Sequence, residues 1–223
     1  MFNKNLFIDF LISSGVLRFG EFKTKSGRIS PFFMNAGEFK TGAQLNELSN
    51  WYANLINQEF SGAVHNLFGP AYKGIPLSAA TSTALYRNYQ MDISFTYNRK
   101  EAKDHGEGGT LVGYKYEKPT NVVIIEDVTT AGTSVHETFE LLKCYPHAKV
   151  IGLVVAVDRC EKSNGNTSAL QEIRSVYGLR TASIVDINDI IAYLESSANT
   201  QQALVSPDIL EKIYAYRNLY GVV

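Results

Sequence analysis

Helical and strand periodicities alternate along this chain. Leu6, Phe7, Phe10 and Leu11 recur at helical spacing after Asn3, a capping residue, and Gly15 marks the stop. Residues 21–24 and 29–34 read as short strands, and Lys25-Ser26-Gly27-Arg28 between them has turn chemistry. Thr41 opens a helix to about residue 59, with Leu45, Leu48, Tyr52, Leu55 and Ile56 on one face. Beyond it the period switches repeatedly. Strands are predicted over 65–69, 93–97, 110–114, 122–126, 150–157 and 183–185, and helices over 74–89, 134–145, 168–177 and 187–195. Ser206-Pro207-Asp208 starts a last helix to about residue 220, with Ser as cap and Pro just inside.

Such alternation implies βαβ units: an α/β fold whose central, mostly parallel sheet carries helices on both faces. Ligands of such sheets sit beyond the carboxyl ends of the strands. The whole chain, 1–223, reads as a single domain, to which residues 1 to about 60 contribute a small N-terminal hood. Composition narrows the function. A net charge of −1 excludes a general nucleic-acid binder, which needs many basic contacts. No apolar run is long enough for a membrane, and Asp9 interrupts the apolar N-terminal stretch. Cys144 and Cys160 form neither a metal cluster nor a disulfide framework, which suggests a reducing, cytoplasmic setting.

The sharpest local feature is VVIIEDVTTAGTSVHE, residues 122–137. A buried strand runs into Glu126 and Asp127, then into Thr129, Thr130, Ala131, Gly132, Thr133 and Ser134, and then into a helix. Small residues let backbone N–H groups converge on an anion at a helix N-terminus, and the hydroxyls add donors. The loop is neither a Walker A motif nor GxGxxG. Two carboxylates beside a phosphate repel it unless hydroxyls lie between, so the order acid-acid-loop suits a ribose 5-phosphate. The same residues also fit an ordinary strand-to-helix turn with solvated acids.

Three further junctions carry charge. Residues 98–109 read NRKEAKDHGEGG, a long polar stretch holding Arg99, Lys100, Lys103 and His105, with glycines for mobility. By composition alone it is equally a solvated hairpin tip. FGPAYKGIP, residues 68–76, places Tyr72 and Lys73 in a tight turn, and Arg159 follows a predicted strand in VDRCEK. A guanidinium can grip a carboxylate through two parallel hydrogen bonds, although Asp158-Arg159 also fits a surface turn. His65, His136 and His147 show no nucleophile or zinc spacing.

EDVTTAGTS resembles the phosphoribosyl-diphosphate signature of type I phosphoribosyltransferases. NRKEAKDHGEGG resembles the mobile catalytic loop of orotate phosphoribosyltransferases, and KSGRISPFFMNAG, residues 25–37, resembles their substrate segment. The resemblance covers roughly residues 6–220 and implies the type I fold. It implies transfer of ribose 5-phosphate from 5-phosphoribosyl 1-diphosphate to orotate, giving orotidine 5′-monophosphate. Lys25, Tyr72, Lys73, Arg99, Lys100, Lys103, His105, Glu126, Asp127 and the run Val128, Thr129, Thr130, Ala131, Gly132, Thr133, Ser134 would bind the phosphoribosyl diphosphate. Phe33, Met34, Thr130 and Arg159 would contact orotate. Lys100, Lys103, His105 and Asp127 would be catalytic. Mg²⁺ would arrive with the substrate rather than in a protein cage, and a homodimer would share its active sites. A purine or uracil phosphoribosyltransferase would share the phosphate loop but not the other two motifs. A non-catalytic phosphoribosyl-diphosphate sensor is the second rival, opposed by the near-neutral charge and the basic loop.

Overall fold

The computed structural model describes residues 3–24, 27–103, 109–129, 133–163, 165–198 and 204–222. Asn3 caps helix α1 (Lys4–Ser13) by accepting from the Asn5 N–H, and Phe7, Ile8, Phe10 and Leu11 are buried. Leu6, expected on that face, is 56% exposed. At 100° per residue the buried wedge is centred on Phe7 and Leu11, and Ile8 takes the flank assigned to Leu6. Strand β1 (Leu17–Lys23) starts earlier than predicted, because a bulge between Phe19 and Phe22 breaks the alternation. Gly20 supplies the positive φ there. β1 pairs antiparallel with β2 (Ile29–Met34) as a separate two-stranded sheet.

Helix α2 (Gly42–Phe60) opens with a full capping box between Thr41 and Gln44. The chain then alternates: β3 (Asn66–Phe68), α3 (Gly74–Tyr89), β4 (Ser94–Lys103), β5 (Gly109–Gly113), β6 (Thr120–Thr129), α4 (Thr133–Lys143), β7 (Ala148–Asp158), α5 (Ala169–Tyr177), β8 (Arg180–Asp186), α6 (Ile187–Ala198) and α7 (Pro207–Tyr220). β4 is longer than its apolar stretch predicts. Residues 98–103, expected in a polar loop, continue the strand and return antiparallel through β5, a pairing that a sheet edge permits with charged side chains.

Among the described residues the main sheet has six strands in the order β5-β4-β3-β6-β7-β8, parallel except for β4–β5. Its centre is buried on both faces, which explains the unbroken apolar run in β6. Val123 and Ile125 join a core formed with α1, α2, α3, α6 and α7, whereas Val122 and Ile124 pack with α4 and α5. Of the first 60 residues, β1 and β2 stand apart, while α2 lies on α3, β7 and β8. The β1–β2 ribbon is backed by α7, with the Phe32 ring edge-on to Tyr216 at 5.9 Å. No helix among the described residues is long and apolar enough to cross a membrane.

Ile124 is fully buried at the sheet centre. Ile124→Ala should lower unfolding free energy by about 2–5 kcal/mol, read from urea melts with an unchanged slope.

Candidate active site

The strand order reverses between β3 and β6. From β3 the chain steps through α3 to β4 on one side, while β6, β7 and β8 step away on the other. The crevice outside such a reversal is where an open α/β sheet binds ligands, and two of the sequence-predicted loops border it.

After β3 the backbone folds tightly on itself. A Cβ on Gly69 would lie 2.0 Å from the Gly74 carbonyl oxygen, and one on Gly74 would lie 2.6 Å from the Gly69 carbonyl carbon. Only glycine fits at either position. The Ala71–Tyr72 peptide in this turn is cis. The Ala71 N–H donates to Asn98 Oδ1 at 2.9 Å, which fastens the turn to β4. Lys73, at the start of α3, reaches across the crevice to Asp127, with Nζ 2.9 Å from Oδ2. Lys100 on β4 places its ammonium 5.1 Å from the centre of the exposed Tyr72 ring. Tyr72, Lys73, Lys100 and Asp127 are thus brought together, with Arg99 adjacent on β4.

The end of β6 separates the two acids, because adjacent strand residues face opposite sides. Asp127 faces Lys73, and its Oδ1 accepts from the Val128 N–H at 2.8 Å. Glu126 points toward α4, is only 8% exposed, and accepts a 2.7 Å hydrogen bond from the Ser134 hydroxyl. Burial pushes its carboxyl up to about 7; the Ser134 hydroxyl opposes this, the Asp127 charge adds to it, and Lys73 lowers it. On the other side, the Tyr52 hydroxyl of α2 donates to the Glu126 carbonyl oxygen at 2.7 Å. Tyr52 is fully buried, and burial followed by the Asp127 and Glu126 charges raises its pKa well above the usual phenol value. It locks the strand where the loop departs.

At the end of β7, Arg159 is 6% exposed. Its Nε and Nη2 donate to Glu161 Oε1 at 2.9 and 2.6 Å, and its guanidinium lies 4.5 Å from the centre of the Phe32 ring. Ser30 Oγ stands 3.4 Å from Nη2. Residues 30, 32 and 34 share one face of β2. The ring of Phe33, predicted to face the base, is on the other face, stacked on Phe22 at 5.4 Å with Arg18 at 6.0 Å. The structure therefore brings Phe32 rather than the Phe33 ring to Arg159. Met34 is half-buried against the main core.

Lys25, His105, Thr130, Ala131 and Gly132 lie outside the described residues, and Lys103, Thr129 and Thr133 are placed by backbone alone. Among the described residues no three His, Cys, Asp or Glu side chains gather to hold a metal ion. The acids at the crevice already have partners in Lys73 and Ser134. Sequence reasoning missed Tyr52, Asn98, Ser30, Phe32 and Glu161 as site supports. The two-residue alternation of β2 was the available signal for Ser30 and Phe32.

Comparison with known proteins agrees with this geometry. Residues 37–173 match the model of the phosphoribosyl transferase domain. The chain belongs to the phosphoribosyltransferase family. Within it, the chain is 46% identical to an orotate phosphoribosyltransferase of Clostridium beijerinckii, over 98% of this chain and 97% of that one. It is 45% identical to that of Pseudomonas fluorescens, over 97% of each. The crystal structure of the Francisella tularensis orotate phosphoribosyltransferase superposes with a TM-score of 0.83 at 38% identity, covering 97% of this chain and 99% of that one.

Glu126 sets a pH dependence. Its folded value of about 7 lies above the ordinary 4.5, so folding takes up a proton between them. The stability it contributes is full below about 4.5 and is lost as pH rises through about 7. Glu126→Gln cannot titrate, so relative to it the wild-type chain should weaken across that window by on the order of 3 kcal/mol. Urea melts from pH 4 to 8 would show a constant difference if burial did not shift this group.

Proposed function

We propose that this chain joins orotate to 5-phosphoribosyl 1-diphosphate, yielding orotidine 5′-monophosphate and diphosphate for UMP synthesis. One observation carries the choice of base. A buried guanidinium, Arg159, stands at the end of β7, next to the strand that leads into the phosphate loop. Orotate differs from uracil by a carboxylate, and purine bases have none, so a buried arginine favours orotate over either rival. The relatives that share nearly the whole chain support the same substrate.

The nucleophile is a ring nitrogen of an already anionic base, so a strong protein base is not the main need. The demands are to hold two anions face to face and to neutralise the departing diphosphate, which is preorganised electrostatics with positioning. Lys73, Lys100, Lys103 and His105 take the leaving group, with Lys25, Tyr72 and Arg99 beside it. Val128, Thr129, Thr130, Ala131, Gly132, Thr133 and Ser134 anchor the 5′-phosphate. Asp127 holds ribose hydroxyls and favours the cationic sugar. Its pairing with Lys73 keeps both groups at the crevice until the substrate arrives. Glu126 shares the hydroxyls, after releasing Ser134 to the phosphate. Thr130, Met34, the Phe33 segment and Arg159 hold the base. Mg²⁺ would come with the diphosphate and supply charge neutralisation there, and Asp127, the acid that borders the crevice, would help hold it. The β1–β2 ribbon acts as the hood of a single domain. Two copies form a dimer whose 98–109 loops cross between sites. The exposed thiol of Cys144 fits a reducing cytoplasm.

The deciding assay follows the ultraviolet absorbance of orotate with the protein, Mg²⁺ and phosphoribosyl diphosphate. Orotate should be consumed. A chain that turns over a purine instead, or binds substrates without turnover, refutes the assignment. Sharing between subunits has its own test. Mixed Lys103→Ala and Asp127→Asn dimers should regain about a quarter of wild-type activity after subunit exchange, since random pairing restores one of two sites in half the dimers. No recovery despite demonstrated exchange means that each site is built within one chain.

A further inference from the structure

Glu161 sits two residues beyond Arg159 and is nearly as buried, its side chain 11% exposed against 7% for Arg159. It is the meeting point of three parts of the fold. Its Oε1 accepts from Arg159 Nε and Nη2. Its Oε2 accepts from the Tyr216 hydroxyl of α7 at 3.2 Å and lies 3.8 Å from Arg28 Nη1 at the start of the hood ribbon. The backbone around it is fixed as well. Residue 161 bridges to Gly221, the Val222 N–H donates to the Cys160 carbonyl at 2.9 Å, and Arg217 Nη1 donates to the same carbonyl at 2.8 Å.

A guanidinium offers a carboxylate two edges, a side edge of Nε with one terminal nitrogen and an end edge of both terminal nitrogens. Glu161 occupies the side edge of Arg159. Ser30 Oγ is only a distant neighbour of Nη2 at 3.4 Å, and Nη1 makes no hydrogen bond among the described residues. Phe32 covers one flat face. The end edge is what remains for a ligand. Charge is consistent with this. Glu161 is shared between Arg159 and Arg28, so its single carboxylate does not belong to Arg159 alone.

We infer that Glu161 is a positioning and specificity-determining residue. It holds the side edge of Arg159 so that the end edge faces the orotate carboxylate. This rests on the proposed orotate reading and adds a residue to it. A truncated Glu161 leaves Arg159 buried, over-charged and free to turn. The Gln variant keeps an acceptor oxygen and most of the orientation.

The test is steady-state kinetics on the full chain with Arg159→Ala, Glu161→Ala, Glu161→Gln and the Arg159→Ala/Glu161→Ala double variant. Glu161→Ala should raise the KM for orotate at least about tenfold while the KM for phosphoribosyl diphosphate stays within about twofold. Glu161→Gln should recover a large part of the loss. In the Arg159→Ala background, Glu161→Ala should change the orotate KM by less than about twofold, because the residue acts through the arginine. If Arg159→Ala itself leaves the orotate KM unchanged, the role given to Arg159 falls and this inference with it. If Arg159→Ala raises that KM but Glu161→Gln and Glu161→Ala do not, only the role of Glu161 is overturned. Equal losses for both substrates, with a lowered melting temperature and no rescue by Gln, make Glu161 a structural residue and overturn it as well. Where Glu161→Ala does not fold, Glu161→Asp, which keeps the charge but draws the carboxylate back from Arg159, should raise the orotate KM selectively, and an unchanged orotate KM in that variant overturns the role.

Discussion

Lys73 and Asp127 meet at 2.9 Å across the gap where the strand order of the sheet reverses. The pairing settles a buried charge. The Asp127 side chain is only 15% exposed, so its carboxylate would be costly without a partner, whereas Lys73, at 57%, supplies that partner while its ammonium stays in water. Much of the surrounding structure serves to hold those two side chains at that distance. The Gly69–Gly74 backbone contact lets α3 start close to the sheet, and Asn98 pins the turn to β4. Tyr52 fixes the carbonyl one residue before Asp127.

The neighbouring acid follows a different logic. Glu126 is one residue away, yet it faces the opposite side of β6, where burial holds its carboxyl near neutrality. Burial thus sets it apart from Asp127, and its hydrogen-bond partner Ser134 belongs to the helix that follows the loop. The two acids of the motif are therefore not a symmetric pair. One balances an ammonium, and the other is buried against the hydroxyl of Ser134 at the start of α4.

Much of this was legible in the sequence. The period switches placed each of the main strands, and α3 was predicted over its full length, because apolar runs buried on both faces leave little ambiguity. The motif EDVTTAGTS located the acids, but the strand runs three residues past its predicted end at Glu126, to Thr129, because β6 continues to pair with β7. Legibility failed where local pattern is overruled from a distance. The β1 bulge at Gly20 hid the first half of a strand. The charged residues 99–101 hid the extension of β4, since an edge hairpin tolerates them. Tyr52 reads as one more core position of α2, and nothing local shows that its hydroxyl meets a carbonyl 74 residues away. The pairing of Arg159 with Phe32 rather than Phe33 depends on β2 parity and on the hood's placement.

The hood is held by contacts far apart in sequence. Arg159 meets Ser30 across 129 residues, and the ribbon rests on α7 near the far end of the fold. Contacts of that span carry a large loop-closure entropy and little local reinforcement, so they open at lower free energy than the sheet. The two halves of the crevice consequently differ in stiffness. The half around Lys73 and Asp127 is built from adjoining parallel strands and stays assembled when the ribbon lifts. The half around Arg159 is complete only while segments remote in sequence are docked, so an opening of the ribbon exposes the guanidinium and leaves the sheet untouched.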